Sequence, residues 1–379
     1  MIERVLLAFL LLSLVSLFAD ITYEGGRSIS GSFLKSLEAP VIATSILAFG
    51  ELLSYAFRLA GGLIAYRLAS IRVYWTLIAL GYGLNVAVPL LALATDWRLA
   101  LLLFLLERAG KGIRTPIRDA VIAEITEGIG RGKAFAIHEV LDQIGGVVGP
   151  LTVSLAIAWS DGSYKIAYGI LAVPFVVSMF ALQLAWRVYR PRSSIEKLRR
   201  ESENSEVLNK SVLFLIFVLF LGAGFLHWSQ ASYRLKELGL EDFEIAWLYA
   251  LAMLCDGLVA IPLGLTFDRL GLRSLLVIPV AVVLSGVAFA FNSSLFFALL
   301  WGTAMSSLET MLKAAVACFS EARERPLLYA LTYISLGAGW VLGNLFMSII
   351  GVSLAYVFLV EVLAILALIA FIRRVPNSF

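Results

Sequence analysis

A chain of 379 residues with 60% hydrophobic and only 15% charged residues carries more apolar side chain than one soluble core can bury. Its mean hydropathy of +0.91 makes lipid the solvent for most of the surface and sets aside soluble enzymes and nucleic-acid-binding domains. The net charge of +3 decides little, and the two cysteines, Cys255 and Cys318, both lie in apolar stretches and form no disulfide framework.

Windows of about 20 apolar residues predict an all-α membrane protein of twelve transmembrane helices. They fall near 5–34, 41–66, 73–95, 98–118, 133–158, 164–188, 211–233, 243–267, 274–292, 295–317, 326–349 and 351–372. The first run could pass for a secretory signal, but Leu17 occupies the place where an A-x-A-like cleavage site needs a small residue. Within that run, "ADITYEGGRS" (Ala19–Ser28) holds Asp20, Glu24 and Arg27 at i, i+4 and i+7, which share one face of a helix. Gly25 and Gly26 are expected to loosen the turn between them.

The second segment repeats the theme with Glu51 and Arg58, the fourth offers Arg108 and Lys111, and the fifth has His138 and Asp142 at i, i+4. After the sixth, the polar stretch Tyr189 to Lys210 splits the chain into two six-helix bundles, residues 1–190 and 211–379, joined by a linker at 191–210. The second half carries His227, Gln230, Asp256, then Glu309 and Lys313 four apart, with Glu361 standing alone and read as structural.

The halves look like copies. "GLIAYRLASIR" (Gly62–Arg72) after the second segment matches "GLTFDRLGLR" (Gly264–Arg273) after the eighth. "KAFAIHEVLDQIGGVVGPL" aligns with "LLYALTYISLGAGWVLGNL", pairing Ala136 with Ala330, Gly145 with Gly339 and Gly149 with Gly343. Most of the thirty Lys and Arg residues fall on the side of the N-terminus, while the other side holds Lys35, Arg98, Lys165, Arg234 and Lys236. The bias places both termini in the cytoplasm. Short loops without a transit peptide suggest a prokaryotic inner or plasma membrane.

Gly264-x-x-x-Asp268-Arg269-x-Gly271-x-Arg273 resembles the loop signature of the major facilitator superfamily, and the resemblance covers the full length of the chain. It implies two pseudo-symmetric six-helix bundles that alternate access to a central site. In the signature, the glycine lets helices approach, and the Asp268–Arg269 pair, with Arg273, belongs to a cytoplasmic gate. The first-half copy keeps Arg67 but has Tyr66 for the acid and Ala69 for the second glycine, and Asp119 is a candidate substitute. Arg108-x-x-Lys111-Gly112 looks like the Arg-x-x-Gln-Gly motif of proton-coupled antiporters, with Lys replacing Gln. Gly145-x-x-x-Gly149-Pro150 is similar to the start of the antiporter motif, and equally to the small-residue spacing of any packed membrane helix. "DITYEGGRSI" and "GKGIRTPIRDA" resemble stretches of poorly characterised prokaryotic members.

In that superfamily the first, fourth, seventh and tenth helices line the cavity. The resemblance therefore puts Asp20, Glu24, Arg27, Arg108, Lys111, His227, Glu309 and Lys313 at its border. Glu51, Arg58, His138, Gln230 and Asp256 are further cavity candidates. An ionised group at the bilayer centre costs about 2.5–3.5 kcal/mol, so such groups face inward, pair or change protonation. Two acids four residues apart with one local base leave one able to hold a proton, which makes Asp20 and Glu24, with Asp142, the expected proton-coupling residues. Static interhelical ion pairs are the alternative for each of these charges.

The expected function is secondary transport, proton-coupled antiport exporting a cationic or polar compound. The alternative is proton-driven uptake of an anion held by Arg27, Arg58, Arg108 and Lys111. A membrane metalloprotease is remote: "HEVLD" (His138–Asp142) lacks the second His of H-E-x-x-H. "GIGRGKA" has Glu127 where a phosphate-binding loop needs its opening Gly, so no nucleotide-driven pump is read. No cofactor or metal is expected. The partners are lipid, protons and a small-molecule substrate, not nucleic acid, and the chain is expected to be a monomer.

Overall fold

The computed structural model describes residues 2–68, 71–125, 131–188, 205–320 and 325–374, with side chains for 6–61, 72–122, 137–188, 211–320 and 327–374. The side chain of Arg67 and the linker expected from 191 as far as 204 lie outside the described residues.

In chain order the helices are α1 (Ile2–Ser28), α2 (Ser30–Ser36), α3 (Ala43–Leu68), α4 (Ile71–Gly83), α5 (Ala87–Leu90), α6 (Trp97–Ile125), α7 (Arg131–Trp159), α8 (Tyr164–Gly169) and α9 (Ala172–Val188). The second half continues with α10 (Ser205–Gly224), α11 (Trp228–Glu237), α12 (Asp242–Leu270), α13 (Val277–Ala290), α14 (Ser294–Phe319), α15 (Arg325–Ile350) and α16 (Leu354–Arg374). Among the described residues, nine stretches are long and apolar enough to cross a membrane. One of these, Asp242–Ala290, has 49 residues, enough for two crossings of a hydrocarbon core about 30 Å thick. There Gly271, at φ +56°, ends α12 and opens a 3-10 turn that leads into α13. α3 and α6 are also long enough, but Glu51 and Arg58 in one, and Glu107 to Arg118 in the other, dilute their apolar character. Together these give twelve crossings.

The chain divides into two compact units. The first holds Met1–Ala39, Leu53–Arg199 and Lys236–Ala250, and the second holds Pro40–Leu52, Arg200–Leu235 and Leu251–Phe379. In the first unit α1 is central, packed along α7 and α9, with α4 against α6. Its core gathers Phe9, Leu12 and Val15 of α1 with Trp75 and Ile78 of α4, Val121 of α6 and Leu182 of α9. In the second unit α10 lies along α15 and α16, and α13 along α14. Leucines and isoleucines left exposed on helix faces, such as Leu258 and Ile261, are the surface that lipid covers.

Glycines set the closest contacts in both units. A Cβ on Gly145 of α7 would sit 2.7 Å from the Leu17 carbonyl oxygen, and one on Gly149 would sit 2.5 Å from that of Ile21. On α15, Cβ atoms at Gly339 and Gly343 would overlap the carbonyl oxygens of Leu219 and Ala223 on α10. The paired glycines of the sequence alignment thus meet equivalent backbone positions, with Leu17 matching Leu219 and Ile21 matching Ala223. Pro150 follows inside α7.

Two local expectations change. Gly25 and Gly26 do not loosen α1, which runs unbroken to Ser28. They are small because Gly25 lies against the Gly149 backbone and Gly26 against Val88. Gly264 is not a close-approach site either, since among the described residues a Cβ there would meet only the Thr310 methyl at 4.0 Å.

Candidate functional site

The first unit concentrates ionisable groups on the facing sides of α1 and α6. Asp20 and Glu24 are 8% and 7% exposed, and Tyr23 between them is equally buried. On α6, Arg108, Lys111, Arg114 and Arg118 recur every three or four residues, so they run up one face. Tyr23 is where they converge. The Lys111 ammonium donates to its hydroxyl at 2.8 Å and lies 4.1 Å from the ring centroid, with the Arg108 and Arg114 guanidinium carbons at 4.9 and 5.8 Å.

The cations differ in how firmly they are held. Arg108 is paired with its neighbour Glu107 at 2.5 Å. Arg114 donates to the Gly81 carbonyl and to Asn85 Oδ1 at 3.2 and 3.0 Å and lies over the Tyr82 ring at 4.6 Å. α6 runs on to Ile125, so Arg114 is buried within the helix rather than at its end.

The two acids of α1 also differ. Glu24 accepts a hydrogen bond from the Tyr249 hydroxyl at 2.5 Å and lies 3.7 Å from Arg27. Asp20 has no hydrogen bond or ion pair among the described residues, while Lys111, Arg114, Glu24 and Asp142 are close enough to act on it electrostatically. Its Cβ faces Gly145.

A second cluster lies further toward the start of α1. Arg118 pairs with Asp119 at 2.8 Å, reaches Ser16 at 2.8 Å and approaches Asp142 at 3.8 Å. His138 meets Ser13 at 3.2 Å through Nδ1 and Asp142 at 3.6 Å through Nε2. The Asp142 Oδ1 is buried without a hydrogen-bond partner. Glu139 is exposed, on a different face from His138, and no group of three potential metal ligands exists among the described residues.

The remaining candidates are dispersed. Arg58, in the first unit, lies 5.4 Å from the Tyr55 ring centroid, whereas Glu51 is buried in the second unit. In the second unit, Asp256 is buried and its carbonyl accepts from Ser306, Glu309 is half-buried, and Lys313 is exposed. His227 lies in the interruption between α10 and α11, its ring bonded to Ser229 at 2.7 Å. Gln230 is fully buried, and neither atom of its amide has a hydrogen-bond partner among the described residues. Asp268, Arg269 and Arg273 are all exposed around the end of α12.

Four contributors escaped the sequence reading: Tyr23, Tyr249, Glu107 and Arg114. Tyr23 could have been found, because it shares the face of Asp20, Glu24 and Arg27, and Arg114 continues the spacing of Arg108 and Lys111. Nothing local marks Tyr249, which lies 225 residues from Glu24.

A family model described as Major Facilitator Superfamily matches residues 5–234 and 213–378. An uncharacterized protein of Mycobacterium tuberculosis is 33% identical over 382 residues, covering 96% of this chain and 92% of that one. An uncharacterized MFS-type transporter of Methanocaldococcus jannaschii is 28% identical over 62% of this chain and 60% of its own. Among solved structures, a mutant of the nucleoside transporter NupG superposes with a TM-score of 0.76 at 13% identity, covering 97% of this chain and 99% of that chain. The peptide transporter POT in complex with sulfate gives a TM-score of 0.74 at 13% identity, over 97% and 95% of the two chains.

Proposed function

The chain belongs to the major facilitator superfamily and carries a solute across a membrane by alternating access, and we propose that a proton taken up by Asp20 drives it. The observation that carries this reading is the contrast between the two acids of α1: Glu24 is held by Tyr249 and Arg27, while Asp20 is buried and makes no hydrogen bond or ion pair among the described residues. A buried carboxyl without a hydrogen bond gains from taking a proton. When Asp20 is ionised, its charge balances the field of Lys111 and Arg114. When it is protonated, that field is no longer balanced from α1 and favours an anion nearby. Proton and anion then bind together, and the pair favours whichever access state accommodates both.

The cationic face of α6 supports an anionic solute taken up with the proton. Antiport of a cationic compound is the second reading. It uses Asp20 as a shared site for which proton and solute compete, and the same unheld carboxyl supports it. The proposal also takes the carrier to be a monomer in the cell membrane, with cytoplasmic termini on the strength of the Lys and Arg bias.

Liposomes with an imposed pH gradient test the proposal against a library of anions, cations and neutral amphiphiles. Asp20→Asn is expected to abolish proton-driven flux while leaving solute exchange and the melting temperature unchanged. Full proton-driven flux in Asp20→Asn would refute it. Flux of an anion down the proton gradient selects symport, and expulsion of a cation against it selects antiport.

A further inference from the structure

Glu361 is a buried ionisable group that the transport scheme leaves unused. It lies on α16, 1% exposed, and both its carboxyl oxygens are buried without a hydrogen-bond partner among the described residues. The carboxyl rests on Gly224, the last residue of α10, and any Cβ there would overlap its Oε1.

At that point the helix is interrupted, and chain resumes as α11 at Trp228. Side chains of three helices satisfy the freed backbone. Asn344 of α15 accepts from His227 N at 2.9 Å and donates to the Phe225 carbonyl at 3.2 Å. Trp301 of α14 donates to the Leu226 carbonyl at 2.8 Å, and Tyr356 of α16 donates to the Ala223 carbonyl at 3.2 Å. By the glycine register, Leu226 is the counterpart of Glu24. The interruption in the second unit thus falls at the level where α1 carries its acids, and here the acid comes from a neighbouring helix.

The groups around Glu361 offer it no counter-charge. Residues 211–224 of α10 and 277–290 of α13, the helices packed on α16, contain no ionisable side chain. The turn before α13 brings only Arg273, which is exposed. On its own helix the titratable neighbour is Tyr356, whose hydroxyl is engaged with Ala223. A lone carboxylate in apolar surroundings would cost many kcal/mol, so the group holds a proton instead.

We infer that Glu361 is a second proton-binding site, lodged in the second unit against the α10–α11 interruption. Opening of that interruption to water is what lets the proton leave, because ionisation requires solvation that the closed packing denies.

Carbodiimides add to protonated carboxyls in apolar surroundings, which makes the site readable without any transported solute. The full chain in lipid vesicles is treated with dicyclohexylcarbodiimide over a range of pH, and the adduct is located by mass spectrometry. Modification of Glu361 is expected at low pH, falling about tenfold per pH unit once the acid begins to ionise. Infrared spectra should show a protonated-carboxyl carbonyl band that Glu361→Gln lacks. Absence of the adduct, a yield that stays flat with pH, or a band unchanged in Glu361→Gln overturns the inference. Should Glu361→Gln fail to fold, the wild-type labelling profile decides alone. Because Asp20 and solute flux do not enter the measurement, its failure leaves the proposed function standing.

Discussion

Tyr249 and Glu24, 225 residues apart in the chain, are joined by a hydrogen bond of 2.5 Å from phenol to carboxylate. The bond ties α12 to α1. A hydrogen bond to a charged group contributes about 1.5–3 kcal/mol. Tyr249→Phe should lower stability by about that amount in a thermal-shift assay, whereas Glu24→Gln, which keeps an acceptor, should cost less. Equal losses in the two variants would contradict the assignment.

Lys111 is the cation nearest the centre of the cluster, donating to Tyr23 from over its ring. If it holds an anionic solute, Lys111→Met loses a charge-assisted contact. Solute affinity in vesicles should then fall about 10- to 100-fold, the equivalent of 1.5–3 kcal/mol. Tyr23→Phe keeps the ring and should lose less. Unchanged affinity in Lys111→Met would exclude the residue from the solute site.

Arg114 makes two hydrogen bonds and one ring contact in a geometry that a lysine cannot copy. Arg114→Lys is expected to cost about 1–3 kcal/mol by leaving Asn85 or the Gly81 carbonyl unsatisfied. A melting temperature equal to that of the wild type would show that the guanidinium contributes charge alone.

The glycine contacts supply an internal control. A methyl at Gly145, Gly149, Gly339 or Gly343 would press on backbone carbonyls, while one at Gly146 would meet nothing within 4 Å. Alanine at the first four should destabilise by about 1–3 kcal/mol, and Gly146→Ala should be neutral or stabilising, since alanine favours the helix. Chemical or thermal unfolding of the five single variants distinguishes these outcomes. A costly Gly146→Ala would undo the packing account.

Much of the fold was legible because it depends on composition and period. Twelve apolar windows, the repeat of Gly145 and Gly149 at Gly339 and Gly343, and the shared face of Asp20, Glu24 and Arg27 all follow from spacing alone. The interruption at Phe225–His227 was not, because no proline marks it; it is made by Asn344 and Trp301, distant in sequence, which supply the missing hydrogen bonds. The burial of Arg114 was not legible for the same reason, since its partners Gly81 and Asn85 belong to the preceding segment. Gly264 fits a motif whose physical rationale does not hold at this position, and the structure gives no packing reason for a glycine there.

Where α7 touches α1, main chain meets main chain, with no interposed side chain at Gly145 or Gly149 to change rotamer. Such a junction has no room for even a methyl, which would press on a carbonyl of the other helix. Asp20 lies in it with its Cβ against Gly145, so the seating of that acid is tied to how tightly α7 packs on α1.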